Sequence, residues 1–113
     1  MGLKQLHPFV QASSLPWQAA EKGVKRRILS FDEQLMMVAV HFEKGAQGNI
    51  HHHPHRQISY VAQGRFEVTI AGRKDTLAAG DSFIVAPDLL HGVTALEEGE
   101  LIDVFSPARA DFL

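Results

Sequence analysis

Four of the chain's seven histidines fall within five positions, His51-His52-His53-Pro54-His55, and the chain has no cysteine. Crowded imidazoles point first to metal binding, and without thiolates any metal must be held by nitrogen and oxygen donors. In an extended chain, residues two apart share a face at about 6.6 Å along the strand. His51 and His53 can therefore direct two imidazoles at one ion about 2.1 Å from each, while His52 points the other way. His55 and Gln57 have the same parity as His51 and His53. A straight row of these four would span ~20 Å and could not share one ion, so the chain must bend, and Pro54 is the obvious place. His91, in Ala-Pro-Asp-Leu-Leu-His-Gly-Val after a strand-like run and a turn, is a fourth candidate ligand. Spacing alone leaves a second reading open, a solvated histidine loop with incidental metal affinity.

A second group with chemistry in it lies near the C-terminus. Asp103 shares one strand face with Leu101 and Phe105, while Ile102 and Val104 occupy the other. On either face it is in apolar company, and a carboxylate there needs a partner or a task because burying it unpaired is costly. Arg109, past the break at Pro107, offers either a structural ion pair with Asp103 or a planar fork for a substrate carboxylate. The residues leave both open.

These side chains need strands to position them. Short runs rich in Val, Ile, Phe and Thr recur at intervals of about 8–12 residues, each closed by Gly, Pro or an acidic turn. The predicted strands are Val24–Phe31, Met36–Phe42, Gln57–Val61, Arg65–Ile70, Asp75–Leu77, Ser82–Ala86, Gly92–Leu96 and Leu101–Phe105. Arg65–Ile70 alternates cleanly, with Phe66, Val68 and Ile70 on one face, whereas Met36–Phe42 is apolar on both faces and is predicted to be central. About eight short antiparallel strands leave a β-sandwich or a small closed barrel as the economical architectures. Helical periodicity is confined to Trp17–Lys22, read as a turn or a single helical turn. The remaining residues are read structurally: His7 and His41 as structural or exposed, Lys25-Arg26-Arg27 as a solvated strand edge, Trp17 and Tyr60 as core or interface aromatics, and Met36-Met37 beside Leu35 as core filling.

The chain's 113 residues predict a single domain over 1–113, with 1–16 as an arm or irregular segment. Eleven basic against thirteen acidic residues give no electrostatic footprint for nucleic acid or an anionic membrane. With no apolar run of about 18 residues and no basic-then-apolar leader pattern, the expectation is a cytoplasmic protein, to which the absence of cysteine is congenial.

Gly45-x5-His51-x-His53-x3-Gln57-x6-Gly64 resembles the first cupin motif, with Gln in place of a common Glu. Gly80 through His91 resembles the second, with Ala86 at the usual proline, Asp88 at the usual glycine and Ala95 at the usual asparagine. The resemblance implies an all-β cupin fold, a double-stranded β-helix or jelly-roll barrel. It also implies a divalent transition metal (Zn, Ni, Mn, Fe or Co) held by His51, His53, Gln57 and His91, with His55 turned away. Three neutral imidazoles and an amide leave the ion's charge uncompensated, which favours an acidic ligand.

The segments Val40–Ala46, Gln57–Val61, Arg65–Ile70 and above all Leu101-Ile102-Asp103-Val104-Phe105-Ser106-Pro107-x-Arg109-x-Asp111-Phe112-Leu113 resemble a narrower group, the KdgF family. These small cupins linearise the 4,5-unsaturated monouronates left by pectin or alginate breakdown. That resemblance implies Asp103, Phe105 and Arg109 as the catalytic and substrate-contacting side of the pocket, an acidic sugar as substrate, and a homodimer. Two other functions stand beside it: a metal-dependent dioxygenase, and a non-catalytic sugar-binding or sensor cupin.

Overall fold

Alternation builds the strands. Along Arg56–Gln63 the odd positions Gln57, Ser59 and Val61 are buried while Ile58 and Tyr60 stay exposed, so one face of an extended segment turns inward. The computed structural model describes residues 8–113. The strands are β1 (Gln18–Ala19), β2 (Val24–Phe31), β3 (Met36–Phe42), β4 (Gln47–His51), β5 (Arg56–Gln63), β6 (Arg65–Ile70), β7 (Arg73–Ala78), β8 (Ser82–Val85), β9 (His91–Ala95) and β10 (Gly99–Ser106). Short 3-10 turns at Ala12–Ser14 and Ala110–Phe112 flank them.

The strands form two antiparallel sheets rather than one closed barrel, ordered β1-β2-β3-β10-β5-β8 and β4-β9-β6-β7. An apolar cluster joins the sheets, with Val24, Phe42, Val61 and Leu101 from the larger and Phe66, Val68 and Ala95 from the smaller. Phe42 and Phe66 meet edge to face at 5.1 Å between ring centroids. A second cluster, Met36, Val38, Phe105 and Ala108, packs the other end of the larger sheet beneath the C-terminal segment.

Eight predicted strands correspond to elements of the structure, with ends shifted by a few residues. Two were missed: β1 is two residues long, and β4 is a polar edge strand whose sequence Gln-Gly-Asn-Ile-His lacks an apolar face. The predicted turn over Trp17–Lys22 is in part β1. As expected, β3 lies inside its sheet, between β2 and β10.

Several structural readings need correction. Met36 is fully buried, but Met37 and Leu35 are exposed, because Met37 faces outward and Leu35 precedes the strand. Tyr60, read as a core or interface aromatic, is half exposed on the outer sheet face, which excludes only the core. Lys25-Arg26-Arg27 is not a uniformly solvated edge. Lys25 and Arg27 face out and stack on Trp17, at 4.9 and 4.2 Å, while Arg26 faces in. His41 bonds Glu98 at 2.9 Å, in keeping with a structural role. His7 lies outside the described residues.

The smaller sheet depends on close backbone approach at one position. A Cβ at Gly92 would sit 2.9 Å from the Gly48 carbonyl oxygen and from Ile50 Cγ1, forcing β4 away from β9. Gly92→Val should therefore lower the melting temperature by about 5–20 °C, the consequence of an overpacking cost of roughly 1–3 kcal/mol in a domain of this size. Gly72→Ala, where a Cβ meets nothing within 4 Å and the cost is only the strain of a left-handed backbone (φ 81°), about 1 kcal/mol, should cost less, and thermal unfolding of the two variants checks the ordering.

Candidate metal centre and pocket

The two sheets deliver different donors to one place. In the smaller sheet β4 and β9 pair His51 directly with His91, their ring centroids 4.5 Å apart. The chain then bends at Pro54 and His55, as the spacing required, and brings the His53 ring within 4.8 Å of His91 and 5.7 Å of His51. One nitrogen from each of the three lies within 4.8 Å of the others.

Hydrogen bonds set which nitrogen each ring presents. His51 Nδ1 donates to the Asn49 carbonyl at 2.7 Å, His53 Nδ1 to that of His55 at 2.9 Å, and His91 Nδ1 to that of Leu89 at 2.9 Å. A carbonyl only accepts, so all three rings carry their proton on Nδ1 and leave Nε2 as a lone pair. His91 Nε2 is buried without a partner. His53 Nε2 stands 2.9 Å from Gln57 Oε1, a lone pair against a lone pair. Buried acceptors facing one another without a proton between them are suited to a cation. Burial lowers the pKa of His53 and pushes that of His91 down to about 4, so both are neutral near pH 7, as ligands must be. His52 is exposed, and His55 contributes its backbone carbonyl rather than its ring.

The altered second motif still performs this orientation. Asp88 occupies a left-handed backbone conformation (φ 67°), which Asp tolerates better than most residues, and its N–H donates to the His53 carbonyl at 2.8 Å. The turn thus ties His53 to the segment that aims His91.

Across the cavity, the inner face of the larger sheet continues the polar network. Asp103 pairs with Ser59, and Phe105 with Gln57, across β10 and β5. Gln57 Nε2 donates to Ser59 Oγ at 2.9 Å, and Ser59 donates in turn to Asp103 Oδ1 at 2.6 Å. Burial pushes the Asp103 carboxyl up to about 6, against the smaller opposing effects of the Ser59 bond and of the positive charge of Arg109. Asp103 Oδ2 makes no hydrogen bond among the described residues, and Asp103 lines the cavity. Arg109 does not pair with Asp103. It forks onto Asp111, at 3.0 and 2.8 Å, and packs on the Phe105 and Phe112 rings.

The cavity has a volume of about 280 Å³, and His51, Gln57, His91, Asp103, Phe105 and Arg109 all line it. His53, buried, completes the histidine triad. Sequence reasoning missed Ser59, Phe112 and Arg26. Ser59 and Arg26 had a legible signal, their inward parity with Val61 and Val24.

A cupin domain signature matches residues 38–105. The chain is 53% identical over 100 residues to the pectin degradation protein KdgF of Dickeya dadantii (strain 3937), a match covering 87% of this chain and 91% of that one. KdgF from Halomonas sp. superposes with a TM-score of 0.91 at 42% identity, covering 95% of this chain and 99% of that one. An RmlC-like cupin from Shewanella frigidimarina NCIMB 400 gives 0.92 at 43% identity, covering 95% and 96%. With the histidine triad in the place the two motifs call for, and with that family match and identity over most of its length, the chain belongs to the cupin family and, within it, to the KdgF group.

Proposed function

We propose that the protein catalyses ring opening of 4,5-unsaturated monouronates to open-chain 4-deoxy-5-keto uronates. The observation that carries this reading is Asp103, a carboxyl in an apolar wall, held by Ser59 on one oxygen and free on the other, in the same cavity as the histidines. A cavity of about 280 Å³ lies at the small end of ligand sites, in keeping with a single sugar ring.

His51, His53, Gln57 and His91 would hold a divalent transition metal, which when bound supplies Lewis acidity toward substrate oxygens. Asp103 takes the proton of the C1 hydroxyl. The C1–O5 bond then breaks as C1 becomes an aldehyde, and its electrons leave on the oxygen attached to C5 as an enolate. Protonation at C4, with Asp103 returning the proton, yields the C5 ketone. No atom or electron is gained or lost, so the reaction is an isomerisation. Phe105 presents an apolar wall to the ring and Arg109 a cation to the departing enolate. The cysteine-free chain suits a cytoplasmic setting.

We also propose a second copy of the chain as partner. Met37, Val104, Ile58 and Ile84 form one register row across β3, β10, β5 and β8 on the outer face, with Ile102 and Tyr60 beside them. This uncharged apolar stripe is chemically self-complementary, as a two-fold interface requires. Light scattering should report a dimer, and Ile58→Lys should convert it to monomer; a monomeric parent protein rejects the assignment.

The decisive assay follows the absorbance of the C4=C5 bond conjugated to the carboxylate. Metal-loaded protein should bleach it well above the spontaneous rate and without oxygen uptake; failure to accelerate opening sinks the proposal, and oxygen consumption would favour the dioxygenase. Chelation should return the rate to background. Elemental analysis of His51→Ala and His91→Ala should show lost metal, and full occupancy in either rejects that ligand.

Asp103→Asn should lower turnover by about 10²–10⁴-fold. In the parent protein kcat/KM should rise with pH through about 6 as Asp103 ionises, with Arg109 as the cation that reaches it. Stability runs the other way. Because folding raises this carboxyl from its ordinary 3.8 to about 6, the folded state holds its proton more tightly, and stability falls as pH rises through that window. The Asn variant should therefore melt higher than the parent at pH 7.5, with the difference gone by about pH 4. A lower melting point at pH 7.5 would mark Asp103 as a structural partner instead.

A further inference from the structure

Arg26 occupies a position that the fold otherwise gives to apolar side chains. Along β2 it shares the inward face with Val24 and Ile28, which pack into the two apolar clusters on either side. Its guanidinium lies 3.7 Å from the centre of the Phe112 ring and lines the same cavity as Asp103 and the histidines. Among the described residues it forms no hydrogen bond or ion pair, and its Nε is buried without a partner. Asp111, the nearest natural counter-ion, is already taken by the bidentate fork of Arg109. Burial, and then the neighbouring charge of Arg109, lower its pKa, yet a guanidinium keeps its charge. The pocket therefore contains a partly buried cation with open donors, whose one acidic neighbour, Asp111, is already hydrogen-bonded to Arg109.

Its place in the sheet says what it faces. Arg26 pairs with Val40, and Val40 with Leu101, the residue two before Asp103 on the same face of β10. Two strand spacings put β2 about 10 Å from β10, and both Arg26 and Asp103 line the one cavity between the sheets.

We propose that Arg26 is a specificity residue of this pocket, the one that binds the carboxylate of an acidic monosaccharide and orients the ring against Asp103. The inference rests on the acidic-sugar reading above and deepens it: Arg109, already hydrogen-bonded to Asp111, serves the reacting end, and Arg26 reads the charge of the ligand. An arginine fork matches a planar carboxylate in two parallel hydrogen bonds, which a lysine cannot reproduce.

The test is binding of a saturated, unreactive probe. D-galacturonate and its neutral methyl ester are titrated calorimetrically into metal-loaded protein, and again after chelation. The parent should prefer the acid in both states. Arg26→Met, which keeps the aliphatic stem against Phe112, should weaken acid binding about 10–100-fold and leave the ester nearly unchanged, with Arg26→Lys between the two. An unchanged acid-to-ester ratio in Arg26→Met overturns the proposal. So does equal weakening of both ligands, which would make Arg26 only a prop for Phe112, or loss of the charge preference on chelation, which would assign the carboxylate to the metal. Should Arg26→Met fail to fold, the Arg26→Lys ratio decides, since a prop that needs only a cation would leave it at the parent value. An Arg26-dependent preference in a protein that does not accelerate ring opening supports this inference while rejecting the enzymatic one.

Discussion

The site rests on three hydrogen bonds from imidazole Nδ1 to backbone carbonyls. Asn49, His55 and Leu89 each offer an oxygen two residues from the histidine it orients, so the local backbone sets both tautomer and direction of every ring. Each bond is local in sequence, but the convergence of the rings is not. It requires β4 to lie against β9 closely enough for Gly48 and Gly92 to touch, and the chain to turn at Pro54 before entering the other sheet. Displacing either sheet would leave three well-oriented histidines aimed at different points.

The opposite wall shows the tension between stability and function. Ser59, Gln57 and Asp103 form a directional chain in which each donor has one acceptor, ending at a carboxyl whose environment favours its neutral form. An apolar residue at 103 would suit its neighbours Leu101 and Phe105 better. The carboxyl, like the inward guanidinium of Arg26, adds nothing to the hydrophobic core, and these departures from the apolar pattern are the residues on which the proposed binding and chemistry rest.

Much of this was legible beforehand because strand parity is a strict code. Period-two alternation located eight of the strands, paired His51 with His53, separated His52 and set Asp103 between Leu101 and Phe105. It failed where the code was silent. β4 carries no apolar face because it is a solvent-facing edge, and Lys25-Arg26-Arg27 reads as one charged run unless its parity is followed residue by residue. Arg109 was assignable to Asp103 or to a substrate because a sequence shows no distances. The choice it makes, Asp111, lies two residues away and was overlooked for a longer-range partner.

Local sequence by itself determined the donors: which histidines share a face, that no thiolate can take part, and that a carboxylate stands in apolar surroundings. Those are properties of side-chain type and of the period of an extended chain. Only the tertiary structure decided the partnerships, because His91 lies 40 residues from His51 and Asp103 lies 44 from Ser59. Register across antiparallel strands converts those separations into contact, and a shift of one residue in β10 would have turned Asp103 to the outer face and left the cavity without its carboxyl.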